Sequence, residues 1–175
     1  MKVARHPKPP EVANLTLEEI ADRYTARFRD RVPDWSAFAD ALIDGYRRAQ
    51  HRYIGNISRK PGSFIPAGNF TLGVMYVPPG QGNAPHTHEA EEVFFVLKGH
   101  LTVFLEEEDG RRLELKLGPW DLVSCPAGVI HGFQNESLEP VYVQIVLGTG
   151  RPEFMGYAEP ELYASRDAHL RPKKE

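Results

Sequence analysis

The sequence predicts a mainly β protein, a small antiparallel barrel or sandwich, preceded by an α-helical extension. Three observations predict it. From Phe70 onward hydrophobicity repeats with a period of two, as in half-buried strands. Turn residues interrupt that pattern repeatedly, so the strands are many and short. Upstream, between Thr16 and Tyr53, the apolar residues recur instead at helical spacing.

Residues 1–14 read as an extended arm, because Pro7, Pro9 and Pro10 forbid regular structure. Thr16-x-x-Glu19 is a capping box, and Leu17, Ile20, Tyr24 and Phe28 follow on one helical face. They predict a helix over 16–30 that ends before Pro33. Trp35, Phe38, Leu42, Tyr46, Ala49 and Tyr53 predict a second helix starting near Asp34, weakened by Gly45 within it. Asn56–Gly68, with its glycines and prolines, is a loop. Strands are expected at Phe70–Val77, Glu92–Lys98, Leu101–Glu106, Arg111–Leu117, Leu122–Cys125, His131–Asn135 and Val141–Gly148. Glu107–Gly110 closes a hairpin, with Asp109-Gly110 supplying its left-handed residue. After Arg151 the tail is irregular, with a short helix near Glu161–Ser165 and a charged end. The chain therefore divides into a helical extension (1–55) packing on the barrel or on a dimer partner, the barrel (56–150) and the tail (151–175).

Composition narrows the function. The 175 residues suffice for one domain with a core of its own. A net charge of −3 gives no electrostatic case for a nucleic-acid partner, and Arg47-Arg48 and Arg111-Arg112 are expected on solvated surface. The single cysteine excludes an internal disulfide and fits a reducing compartment. Met1–Pro10 is polar, with neither secretory signal nor anchor, and the longest apolar run, Val93–Leu97, is far too short for a bilayer. A cytoplasmic protein acting without membrane is expected.

The informative residues lie in two patterns, Gly80-x5-His86-x-His88-x3-Glu92-x6-Gly99 and Pro126-x-Gly128-x2-His131-x3-Asn135. Residues two apart on a strand share a face, so His86 and His88 can point inward together, and Glu92 has the same parity. His131, at the start of a later strand, adds a fourth donor from across the sheet. Three imidazoles and one carboxylate suit a divalent transition metal and leave positions for water or substrate. Gly80, Gly99, Pro126 and Gly128 are the turn residues that set this geometry.

These residues resemble the two signature motifs of the cupin superfamily over roughly Asn69–Gly148. The first motif matches at Gly80, His86, His88, Glu92 and Gly99, and the second at Pro126, Gly128, His131 and Asn135. Trp120 departs, standing where the family usually has glycine. The resemblance implies a jelly-roll or double-stranded β-helix barrel with a metal inside, and the helical extension suggests a homodimer by analogy.

Parity supplies the pocket. Phe94 and Val96 share the parity of Glu92, and Phe133 that of His131. Tyr76 (or Met75), Phe104 and Gln144 complete the expected lining. Asn135 is assigned a supporting role, Cys125 a core position pointing away from His131, and Trp120 a packing role. His6, His51, His100 and His169 have no partner pattern and are expected at the surface. The expected activity is that of a mononuclear metal enzyme on a small aromatic or enolisable molecule, a dioxygenase before others. Iron is the favoured metal, with zinc, nickel or manganese as the others, and Glu92 is a ligand that doubles as a base. The alternatives are a non-redox isomerase, cyclase or decarboxylase, or a barrel that binds a small molecule without turnover.

Overall fold

The computed structural model describes residues 6–171; the expectations for residues 1–5 and for the charged end at 172–175 lie outside the described residues. Two five-stranded antiparallel sheets face each other. The first runs β1 (Ala49–Ile54), β2 (Thr71–Val77), β9 (Val141–Leu147), β4 (Glu92–Lys98) and β7 (Leu122–Cys125). The second runs β10 (Gly156–Tyr157), β3 (His86–Thr87), β8 (Ile130–Gln134), β5 (Leu101–Glu106) and β6 (Arg112–Leu117). The seven expected strands are all present, within a residue at each end.

Alternation of burial explains the two-layer form. In β9, Val141, Val143, Ile145 and Leu147 are buried while the residues between them are half-exposed. Their buried faces meet Met75, Val77, Phe94 and Val96 of the same sheet and Leu101, Val103 and Phe133 of the other. Removing this apolar surface from water is the main force holding the sheets together, about 25 cal/mol per Å² buried.

The N-terminal region departs from expectation. The capping box forms as predicted, with the Thr16 N–H donating to Glu19 Oε2 at 2.8 Å and the Glu19 N–H to Thr16 Oγ1 at 3.2 Å. The helix α1 it caps spans only Leu17–Tyr24 and buries no residue. The second expected helix does not form. Gly45 takes φ +91°, and residues 49–54 become β1, paired with β2 from Ala49↔Tyr76 to Ile54↔Leu72. The physical reason is that β2 would otherwise present an unpaired edge, and its open backbone groups outweigh a helical pattern already weakened by glycine. The tail helix forms as α2 (Pro160–Ala164), and β3 and β10, of two residues each, were beyond the reach of periodicity.

Trp120 shows how the family glycine was replaced. It adopts φ +75°, the left-handed conformation that glycine takes freely, and its N–H donates to Val96 O at 2.8 Å. The turn is kept, and the ring lies outside against Phe95, with centroids 5.9 Å apart.

Two arginine expectations divide. Arg111 and Arg112 sit at the surface in ion pairs with Glu107 and Glu106. Arg48 instead is 1% exposed and bound bidentately to buried Asp40, Nη1 to Oδ2 at 3.0 Å and Nη2 to Oδ1 at 2.9 Å. Tyr157 Oη donates to the same Oδ1 at 3.0 Å, and the Ala84 N–H to Oδ2 at 3.0 Å. A charge pair this deep is tolerated because every carboxylate oxygen is saturated.

Candidate metal centre

His86 lies on β3 directly opposite His131 on β8, so both rings enter the interior side by side from the second sheet. His88 follows β3, its carbonyl fixed by the Gly128 N–H at 3.0 Å. Glu92 opens β4 on the first sheet. His131 thus comes from across the sheet as expected, on the strand beside His86; the departure is Glu92, which does not share their sheet and crosses the interior to meet the three histidines. One donor atom from each of the four residues lies within 4.8 Å of all the others, and all four residues are buried.

The imidazoles are set for coordination by their outer nitrogens. His86 Nδ1 faces the Ala84 carbonyl at 2.8 Å and His131 Nδ1 the Val129 carbonyl at 2.7 Å. A carbonyl only accepts, so both Nδ1 atoms carry hydrogen and both Nε2 atoms turn inward. Inside, Glu92 Oε2 is 2.9 Å from His131 Nε2 and 3.5 Å from His86 Nε2, while Oε1 is 3.5 Å from His88 Nε2. Neither nitrogen of buried His88 has a hydrogen-bond partner among the described residues. An unpartnered buried imidazole is costly unless something else takes its lone pair, and a metal ion would. The donor set therefore fits a divalent transition metal on this geometry.

Electrostatics agree. Burial pushes the Glu92 carboxyl up, but the three surrounding imidazoles outweigh it and hold Glu92 well below the usual carboxylate range. Burial lowers His88 to about 4, against the attraction of Glu92, so its lone pair is free at neutral pH. For His131, burial acts downward but the hydrogen bond to Glu92 prevails and raises it. Facing a carbonyl at one nitrogen and an ionised carboxylate at the other, metal-free His131 holds a second proton more readily than a free histidine does. A metal must displace that proton. We therefore expect calorimetric titrations at pH 6.5, the ordinary histidine value, in buffers of different ionisation enthalpy, to show net proton release on metal binding, more than about half a proton from His131. Affinity then falls as pH falls; zero release would refute the doubly protonated His131.

The expected lining is only partly inside. Phe94 and Phe133 are interior and buried, their rings edge-to-face at 5.4 Å, and Phe94 lies 5.7 Å from the His131 ring. Tyr76, Phe104 and Gln144 point away. Tyr76 joins an outer aromatic group with Trp35 and Tyr142, because Met75 takes the inward position on β2. Gln144 pairs with Phe95 and Val74 on that same outer face. Phe104 covers Gly132 on the outside of the second sheet, under the Arg112 guanidinium at 3.9 Å. Its neighbour Leu105, the cross-strand partner of His131, is the residue packed against the core.

Other assignments shift too. Cys125 is fully buried and pairs with Glu92 on the inward face, rather than pointing away. Burial and then the Glu92 charge push its thiol up to about 12, so it stays protonated and outside the donor set. His51 is buried against Phe28, not at the surface, and half-buried His169 bonds Ser58 O at 3.0 Å. Asn135 supports the fold, its Nδ2 donating to Val77 O and Glu139 O.

A family profile described as a cupin domain matches residues 73–147, spanning all four donors. The segment that carries the four donors is a cupin domain. Its barrel is similar to the polyketide cyclase RemF from Streptomyces resistomycificus, at 19% identity and a TM-score of 0.57 over 85% of this chain and 93% of that one. It is also similar to a deletion mutant of oxalate decarboxylase from Bacillus subtilis, at 21% identity and a TM-score of 0.55 over 75% of this chain and 31% of that one. At such identities the likeness is one of fold alone.

Curated relatives match over shorter stretches. The acireductone dioxygenase of Bacillus subtilis is 34% identical over 65 residues, 37% of this chain and 36% of that protein. That of Bacillus cytotoxicus is 40% identical over 65 residues, 37% of this chain and 38% of that protein. The dimethylsulfoniopropionate lyase DddQ of Ruegeria pomeroyi is 34% identical over 77 residues, 44% of this chain and 35% of that protein. The matched segment thus spans little more than a third of each curated relative. Among the described residues no helix is long and apolar enough to cross a membrane.

Proposed function

We propose that this cupin is a mononuclear metal enzyme acting on a small planar or enolisable molecule, with oxidation by dioxygen as its reaction. The observation that carries the proposal is the buried donor set, His86, His88, Glu92 and His131, beside a cleft that reaches His88. The local similarity to two acireductone dioxygenases supports the oxidative reading. A divalent metal held by these four residues supplies Lewis acidity, and iron adds the capacity to activate dioxygen.

The chain's own contribution is orientation, dryness and proton management. The carbonyls of Ala84 and Val129 fix the rotation of His86 and His131. Phe94 and Phe133, with Val96 behind them, exclude water from the inner wall. Glu92, held ionised at neutral pH, can take a proton at a carboxylate oxygen from a substrate hydroxyl. A homodimer remains part of this proposal, with size measured by light scattering as its check.

A second reading, a metal-dependent lyase without redox change, is favoured by the similarity to DddQ. Elemental mass spectrometry of tag-free protein, purified without added metals or chelators, separates the possibilities. We expect about one divalent metal per chain, and oxygen uptake by the iron form with enolisable diketones or phenols. Full metal occupancy without oxygen uptake favours the lyase. Absence of metal even after reconstitution overturns both readings.

A further inference from the structure

Resting on the metal-enzyme reading, we infer that Arg59 and Arg166 form a carboxylate-binding rim for the substrate of this centre. A cleft of about 560 Å³ is lined by His88 together with Arg59, Arg166, Phe154 and Tyr163. That size suits a small organic ligand, whose sites run to about 300–1,000 Å³. The two arginines arrive from distant parts of the chain, one from the loop after β1 and the other from just beyond α2. Each guanidinium lies on an aromatic face, Arg59 at 4.3 Å from the Phe154 centroid and Arg166 at 4.2 Å from that of Tyr163. Stacking occupies the flat face of the guanidinium and leaves its edge donors for a ligand.

Neither guanidinium joins an ion pair among the described residues, whereas Arg48, Arg111, Arg112 and Arg171 all do. Arg166 gives one N–H to the Tyr163 carbonyl at 2.8 Å and keeps the others. Arg59 carries a second signal. Its backbone stands at φ +58°, left-handed for a residue that is not glycine, and such strain persists only where the surroundings impose it. Here Asn56 Nδ2 holds Lys60 O at 2.6 Å, Ser58 Oγ holds Asn56 Oδ1 at 3.2 Å, and His169 Nε2 holds Ser58 O at 3.0 Å. The loop is built to put an arginine side chain, not a glycine turn, at the mouth of the cleft.

The same cleft contains Glu89 and Glu153, with Glu89 Oε1 accepting the Glu153 N–H at 3.0 Å. Their charges disfavour a dianionic phosphate. A single planar carboxylate matches the guanidinium edge and tolerates the acids nearby.

The test uses zinc-loaded full-length protein and three probes, phenylacetate, phenylacetamide and phenyl phosphate, measured by calorimetry. Phenylacetate should bind at least about tenfold more tightly than the amide, and that preference should vanish in Arg59→Gln/Arg166→Gln. The Arg59→Lys/Arg166→Lys protein should recover part of it. Unchanged acid binding in the glutamine variant would place the acid on the zinc and overturn the rim. So would equal binding of acid and amide by the wild type, or tighter binding of phenyl phosphate. Zinc content is determined in every sample. If the wild type holds none, the metal reading fails, and the acid–amide comparison on metal-free protein still decides the rim.

Discussion

Replacing His88 by alanine will empty the metal centre while the barrel stays folded. His88 brings one of the four candidate donors, and its two ring nitrogens have no hydrogen-bond partner among the described residues, so the substitution removes coordination and breaks no hydrogen bond seen there. The loss should exceed the ~10–100-fold in affinity that removal of an outer-shell partner costs. The fold should survive because Val141, Val143, Ile145, Val96 and Val103, which fill the space between the sheets, are untouched. Elemental analysis and circular dichroism read the two halves separately. Exposed His100 is the control, and His100→Ala should leave metal content at the wild-type level. Full metal stoichiometry in His88→Ala would refute the ligand assignment.

Asp40→Asn should be the most destabilising single change outside the centre. The substitution leaves the Arg48 guanidinium buried without its counter-charge and sets a new N–H₂ among the Arg48 and Ala84 N–H groups, which only donate. Breaking one side of a buried pair costs about 3–5 kcal/mol. For a chain of this size that lowers Tm by roughly 10–15 °C in calorimetry. The same variant should weaken metal binding by about 10–100-fold. The path is short: Asp40 holds the Ala84 N–H, and the Ala84 carbonyl holds Nδ1 of His86. An unchanged Tm would show that the pair bears no load. A lowered Tm with unchanged metal affinity would confine Asp40 to the fold. Asp40→Leu combined with Arg48→Met should recover much of the stability, because no charge is then stranded.

The legibility of the chain follows the range of the forces involved. Strand periodicity is local, and β4, β5 and β7 were found to the residue. The donors were legible because metal binding demands scarce residue types at spacings set by strand parity. Facing was harder. Phe94 and Phe133 could be referred to a donor on their own strand, but Tyr76, Phe104 and Gln144 could not, and all three lie outside. For Phe104 the decisive neighbour is Gly132, a partner across the sheet. The same limit hid β1, whose strand identity depends on the open edge of β2.

By itself the sequence determined the mainly β architecture, most strand positions and the four candidate donors, because alternation and ligand chemistry are written along the chain. Only the tertiary structure decided that three histidines share one sheet while Glu92 reaches them from the other. It alone joined Asp40, Arg48 and Tyr157 behind His86, and set Arg59 and Arg166 at one mouth. These are meetings of residues distant along the chain, fixed by register and by burial of the apolar faces, neither of which a local pattern specifies.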